Sequence, residues 1–313
     1  MEQAFYSNGK LLLTGEYLVL DGALSLAVPT TFGQVLEVTE TDSRQLQWKS
    51  FDADGAMWFE AALDIAAIGE PGERFLPVMR DVGTKGVADR IVQILMAVKH
   101  LKPTFLKDSG GCLVENTLTF PRGWGLGSSS TLINNIAQWA DVDPYELLWR
   151  TFDGSGYDIA CARHDRPLLY QLANKSPKIK EVNFDPPFKK MLYFVYLNKK
   201  QDSREAIGAY RRKQMDHGSL VDKVSNISRE IVDCSGLMAF DALIQRHEEL
   251  VSTMLEIPTI KSSHFPDFGG AVKSLGAWGG DFILAAGGAG TPDYFREKGY
   301  NTVIPYTEMV LRK

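Results

Sequence analysis

The stretch Pro121-Arg122-Gly123-Trp124-Gly125-Leu126-Gly127-Ser128-Ser129-Ser130 sets three glycines and three serines against an amphipathic run. A helix start leaves backbone N–H groups unpaired and carries about half a positive charge, so it holds anions wherever backbone can approach them. Gly123, Gly125 and Gly127 clear side chains from the place a phosphate would take, while Ser128, Ser129 and Ser130 offer hydroxyls and caps. The combination points to nucleotide phosphates; the alternative is a flexible helix start capped by serine. Two other phosphate loops fail on spacing. A Walker A loop needs a lysine, and none lies between Gly123 and Ser130. A dinucleotide fingerprint needs G-x-G-x-x-G and an acid closing the next strand, whereas the spacing here is G-x-G-x-G and Asp141 and Asp143 precede a proline.

Other chemistries find little support. "HEELV" at His247 lacks the second histidine of a metalloprotease helix, so His247 reads as packed in a helix stripe. Cys112, Cys161 and Cys234 are scattered, with no C-x-x-C, which argues against a disulfide framework or a zinc cage. "KSSH" at Lys261 to His264 is polar enough to touch an anion, or is an ordinary loop. With 313 residues, a net charge of -5 and no run of five like charges, the chain offers neither a nucleic-acid surface nor a basic membrane face. No stretch approaches ~18 uninterrupted apolar residues, and "MEQAFYSNGK" lacks the order of a signal peptide. The expectation is a cytoplasmic protein, monomer or homodimer, whose partner is a small molecule.

The elements that must position the loop follow from periodicity. Short Leu-, Val- and Thr-rich segments broken by Gly or Pro predict successive strands over 10–40. Val87, Ile91, Ile94, Leu95 and Val98 predict a helix over 86–100, and "GCLVENTL" a strand. Leu132, Ile133, Ile136, Ala137 and Ala140 make one stripe of a helix after Gly127; Asp143-Pro144 starts another and "SGYDIACAR" a third. The polar, Pro-rich "ANKSPKIKEVNFDPPFKK" reads as an inter-lobe connection, with the boundary near Asp185. "MLYFVYL", two amphipathic helices, "GAWGGDFILAAGG" and "YNTVIPY" then suggest strand, helices and strands. Both halves mix the two element types, so the expected class is α+β or α/β with lobes 1–185 and 186–313.

The pattern P-x-x-x-G-L-G-S-S-[AS] at 121–130 resembles the second motif of the GHMP kinases, the galactokinase, homoserine, mevalonate and phosphomevalonate kinase superfamily. "NGKLLLTGEYLVLDGALSLAVP" resembles its first motif and "KSLGAWGGDFILA" its third. "GEY" and "GGD" look closer to the phosphomevalonate kinase branch than to sugar kinases, and "GSGYDIA" resembles a bacterial subgroup named for G-Y-D-I-A. The resemblance implies a ribosomal-protein-like N-terminal lobe, a ferredoxin-like C-terminal lobe, and bound ATP with Mg2+. Pro121 opens the motif, the phosphates would lie over Gly125 to Ser129, and Gly276, Ala277, Gly279 and Gly280 would shape the facing wall.

By the same resemblance Asp158 matches the carboxylate read as general base for the acceptor hydroxyl, and Lys10 the lysine beside it. Away from the motif, Asp158 reads as a helix cap and Lys10 as a strand-start lysine reaching water. Lys10 follows Asn8-Gly9 where the family has Pro-Gly. For magnesium the first choice of hydroxyl is Ser129, with Ser128 next, and the carboxylate candidate is Glu146, which reads equally as an exposed helix acid. Glu16, Tyr17 and Asp21 are as apt to point inward as outward. Trp278 stands where the family has small residues, and either crowds the phosphates or stacks on a neighbouring loop. The implied activity is phosphorylation of an isoprenoid precursor, phosphomevalonate or mevalonate. Alternatives are a diphosphomevalonate decarboxylase-like enzyme, a sugar or homoserine kinase, and a non-catalytic binding module.

Overall fold

A computed structural model describes residues 2–66, 68, 85–107, 109–199, 208, 210–211, 218–276, 278 and 280–312. The chain divides into two compact units: Met1–Gly9 with Phe32–Arg122 and Gly127–Arg163, and Lys10–Thr31 with Gly123–Leu126 and His164–Lys313.

Three of the strands in the first unit bury alternate residues. β1 (Glu2–Leu12) pairs with β2 (Ser25–Glu40), a single long strand where the sequence suggests two; β2 begins in the second unit and ends in the first. β3 (Gln45–Phe51) buries Leu46, Trp48 and Ser50, and β4 (Met57–Asp64) buries Phe59, Ala61 and Leu63. β5 (Cys112–Leu118) buries Cys112, Val114, Asn116 and Leu118. In these three strands the period of two gathers the buried residues on one face. The order is β4-β3-β5-β2, with β3 and β5 parallel and the other neighbours antiparallel.

The described α-helices of this unit are α1 (Lys85–Leu101), α2 (Ser128–Ala140), α3 (Pro144–Thr151) and α4 (Tyr157–Arg163). α2 packs on α3 and α4, and its first turn follows the glycine-serine loop. Its anchorage is polar as well as apolar. Asn134 Nδ2 donates to Ser7 Oγ at 2.9 Å, Ser7 Oγ donates to Asn135 Oδ1 at 2.6 Å, and Asn135 Nδ2 donates to the Gln34 carbonyl at 2.9 Å. Both asparagines are buried, so this side of α2 is invisible to an apolar stripe. Asp143 caps α3 as its Asp-Pro signal suggests, accepting from the N–H groups of Tyr145 and Glu146 at 2.8 and 2.9 Å.

The second unit carries a correction to the sequence reading. β6 (Leu168–Ala173) and β7 (Ser176–Glu181) form an antiparallel hairpin across the start of the segment read as a connection. Asn174 and Lys175 at its tip hold φ of 52° and 58°, the left-handed pair that a two-residue hairpin turn requires. β7 is an edge strand, which tolerates Pro177, and β6 pairs with Ser25 to Ala27 of β2.

Among the described elements of this unit are β8 (Leu192–Tyr196), α5 (Gly218–Val232), α6 (Leu237–Leu255), α7 (Ile260–His264), β9 (Ala271–Ser274), β10 (Phe282–Ala286), α8 (Thr291–Glu297), β11 (Val303–Pro305) and α9 (Tyr306–Met309). The four strands form an antiparallel sheet ordered β11-β8-β10-β9. Strand, helices, two strands, helix, strand in that order is the ferredoxin-like arrangement, as the resemblance implies. One core gathers Val195, Phe265, Val272, Ile283 and Phe295; a second gathers Tyr17, Leu18, Tyr210, Val251, Met254 and Trp278. Among the described residues no helix is long and apolar enough to cross a membrane.

Candidate functional site

Gly123 to Leu126 are held by the second unit at every step. The Tyr196 hydroxyl donates to the Gly123 carbonyl at 3.1 Å, and a Cβ on Gly123 would meet that hydroxyl at 3.0 Å. The Trp124 ring meets Phe282 edge to face at 5.5 Å between centroids. Gly125 has φ +67°, and a Cβ there would lie 2.4 Å from the Asp281 carboxylate carbon. Only glycine accepts both that backbone and that neighbour. The Lys10 ammonium donates to the Gly125 carbonyl at 3.1 Å, and the Lys10 backbone N–H to the Leu126 carbonyl at 2.9 Å. The first-motif lysine therefore lies on the glycine loop of the second motif.

On the first unit's side of the loop, Gly127 takes φ +91° and precedes α2 with no side-chain cap. Ser130 is buried and turns its hydroxyl back to the Gly127 carbonyl at 2.8 Å, so it is not a cap. Ser128 is half-buried and Ser129 exposed. An uncapped first turn keeps its N–H donors for a partner that is not a side chain, which fits an anion such as a nucleotide phosphate. Asp158 is half-buried in the first turn of α4, its Oδ1 accepting from the Ile159 N–H at 3.0 Å. Glu146 is exposed in the first turn of α3, and Pro121 is exposed. Among the described residues no group of three or more His, Cys, Asp or Glu could hold a metal ion by itself.

In the third motif Gly276 has φ +76° and Gly280 is buried; Ala277 and Gly279 lie outside the described residues. Trp278 turns inward and is buried. Its indole N–H donates to the Pro258 carbonyl and its backbone N–H to the Tyr17 hydroxyl, both at 3.2 Å. Its ring joins Tyr17 and Met254 in the core.

Behind the first motif lies a charge cluster that sequence reading did not assemble. Lys273, fully buried, donates to Glu16 at 2.6 Å and to Glu248 at 3.3 Å. His247 Nε2 accepts from the Gly15 N–H at 2.9 Å, which leaves the proton of a neutral ring on Nδ1. Burial, aided by the Lys273 charge, holds the histidine pKa well below its usual value. Burial raises Glu16, with the Lys273 charge working against it. Glu248 is pushed up to about 7, by burial first, again opposed by Lys273. One ammonium brings a single positive charge to two buried carboxyls, and burial raises both of them. The available signals were a lysine inside the apolar strand "AVKSL" and an acid after His247 in a helix stripe.

A stability prediction follows from Glu248. Its folded pKa lies above the unfolded value of 4.5, so its stabilisation is full below pH 4.5 and is lost as pH rises through about 7. Glu248→Gln removes that titration. Relative to the variant, the wild type is expected to lose roughly 3 kcal/mol across this window, measured by urea unfolding at a series of pH values. A difference that stays constant with pH would contradict the assignment.

Neither a protein-family model nor a curated protein matches the chain. Solved structures do, almost end to end. A mevalonate kinase from Methanococcus jannaschii aligns with TM-score 0.65 at 15% identity, covering 97% of this chain and 96% of that one. Streptococcus pneumoniae phosphomevalonate kinase, in complex with phosphomevalonate and AMPPNP, aligns with TM-score 0.65 at 14% identity, covering 95% of each. Lactococcus lactis galactokinase complexed with galactose aligns with TM-score 0.64 at 12% identity, covering 95% of this chain and 88% of that one. At such identities the likeness is one of fold.

Proposed function

We propose that this chain, which has the GHMP kinase fold, is an ATP-dependent kinase of a small molecule, and that its acceptor is an isoprenoid precursor, phosphomevalonate or mevalonate. The observation that carries the kinase reading is the Lys10 ammonium, 3.1 Å from the carbonyl of Gly125 in the loop that leads into an uncapped helix. Phosphoryl transfer asks mainly for alignment and charge neutralisation, and that is what these groups offer. Bound ATP supplies the phosphoryl group, and magnesium neutralises part of its charge.

In this reading the backbone from Gly125 to Ser129 holds the phosphates and Lys10 neutralises charge that builds during transfer. Asp158 accepts the proton of an acceptor hydroxyl. A phosphate acceptor is already anionic and needs no base; with phosphomevalonate, Asp158 orients the acceptor instead. Ser129 and Glu146 would hold magnesium, which would neutralise part of the phosphate charge. The lobes of the kinase are assigned to 1–185 and 186–313. "GEY" and "GGD" support the isoprenoid acceptor. The comparable likeness to a galactokinase, at TM-score 0.64, favours a sugar as the second reading.

ADP release should be measured against mevalonate, phosphomevalonate, diphosphomevalonate, homoserine and a set of sugars, with evolved carbon dioxide trapped. Turnover with mevalonate or phosphomevalonate is expected. Turnover with a sugar alone moves the acceptor to the second reading, carbon dioxide reveals a decarboxylase, and ATP binding with no turnover on any acceptor leaves a binding module.

A further inference from the structure

Arg44, Lys99 and Lys107 line one depression of about 900 Å³ in the first unit. They come to it from the turn between β2 and β3, the last turn of α1, and the segment between α1 and β5. Like charges gathered in one place repel, and a chain with a net charge of -5 has acids enough to offset them. Here it does not use them. Among the described residues none of the three cations has a carboxylate within ion-pair distance, whereas the neighbouring Lys102 pairs with Asp141 at 3.1 Å. Asp64 is the acid among the described lining residues, and its Oδ1 accepts from the Ala66 N–H at 3.0 Å. Ser43 and Ser109 add hydroxyls to the lining.

The floor of the depression is braced. Arg44 holds φ 55°, a left-handed backbone uncommon outside Gly, Asn and Asp, and one that persists only where the surroundings hold it. Its N–H donates to the Gly110 carbonyl, and the Thr41 N–H donates to the Gly111 carbonyl at 3.0 Å. A Cβ on Gly111 would lie 2.9 Å from the Arg44 nitrogen, so the turns before β3 and β5 are in close contact. Arg44 and Lys107 are exposed and Lys99 is half-buried, which leaves their charges open to a ligand. The phosphate loop is elsewhere. Lys102, between Lys99 and Lys107 in the chain, pairs with Asp141, the residue that ends α2. That helix has 13 residues and so is about 20 Å long, with its uncapped first turn at the other end.

We propose that this depression is a second anion site, for a small molecule that carries a diphosphate group. An arginine fork pairs with phosphate oxygens two at a time, and lysines beside it neutralise the remaining charge. Three positive charges match a diphosphate better than a single phosphate, and a volume in the range of ligand pockets leaves room for an organic body. The inference stands apart from the kinase reading, because none of its residues belongs to the glycine-serine loop.

The test is a titration of inorganic pyrophosphate into the isotope-labelled full chain, without magnesium and at about 0.15 M ionic strength, read from backbone amide shifts residue by residue. Saturable shifts are expected at Ser43, Arg44, Ser109 and Gly111. The double variant Lys99→Gln, Lys107→Gln is expected to weaken this site about tenfold and Arg44→Asn about threefold, as loss of exposed charge pairs predicts. Asparagine tolerates the left-handed backbone, and the amide spectrum of each variant reports whether its fold is intact. Shifts that rise without saturating, or that sodium chloride reproduces, mark a diffuse field of charge and overturn the proposal. So does affinity unchanged in both variants. Shifts confined to Gly125 to Ser129 overturn it too, while leaving the kinase reading in place. Saturation by an oligoglutamate peptide and not by pyrophosphate overturns it by giving this face to a protein partner.

Discussion

Lys10→Met should lower kcat by on the order of 100- to 1,000-fold, with a much smaller change in the KM for ATP, the pattern of a donor that acts on charge developing in the transition state. The argument is electrostatic. The ammonium donates to the Gly125 carbonyl at 3.1 Å while its own backbone N–H holds the Leu126 carbonyl, so the charge is fixed before any ligand arrives. Methionine keeps the length and apolar stem and removes only the charge. Asp158→Asn by itself should cost a factor within the roughly 10²–10⁴ range of a general base if the acceptor is a hydroxyl, and far less if it is a phosphate. Groups that serve one step are non-additive. The double variant should therefore be little slower than the worse single variant in single-turnover ADP formation. Full activity in Lys10→Met would remove the residue from the mechanism, and independent, multiplying losses would separate it from Asp158.

The largest stability effect is expected at Lys273. Its ammonium is fully buried and serves Glu16 and Glu248 at once. Lys273→Met leaves two buried acids without their cation, and breaking a buried pair from one side costs about 3–5 kcal/mol. The loss should be greatest above neutrality, where both carboxyls must ionise or hold protons at a cost, and should shrink in acid. Adding Glu16→Gln and Glu248→Gln to Lys273→Met should recover much of it, since a neutral cluster needs no counter-charge. Urea unfolding at pH 5 and pH 8 measures both effects. A Lys273→Met protein as stable as the wild type at pH 8 would show that water reaches the cluster.

The cluster also ties the first motif in place. Gly15, with φ +93° and a Cβ position only 2.0 Å from Ser25 Oγ, has no room for a side chain. Tyr17 holds φ 62°, an uncommon backbone for an aromatic residue. His247 takes the Gly15 N–H, Lys273 takes the Glu16 carboxylate, and Tyr17 accepts from the Trp278 N–H. Asp21, further along, accepts from the Tyr210 hydroxyl. Glu16, Tyr17 and Asp21 thus have protein partners, and Leu18–Asp21 is a short 3-10 helix rather than part of the strand the sequence predicts.

What could be read in advance was local. The glycine-serine loop, the Asp143-Pro144 helix start, the stripes of α1 and α2 and the strand β5 depend on neighbours within a few residues, where the period of burial and the conformational freedom of glycine write themselves into sequence. The hairpin of β6 and β7 was hidden because Asn-Lys is a weak turn signal and the segment's prolines suggested a linker. What only the tertiary structure decided is which charges lose their water. Lys273, Glu16, Glu248 and His247 come from three distant segments, and Asp281 meets Gly125 across more than a hundred residues. A charged side chain looks alike in sequence whether it faces solvent or a counter-ion, because desolvation is a property of the packed surroundings and not of the residue.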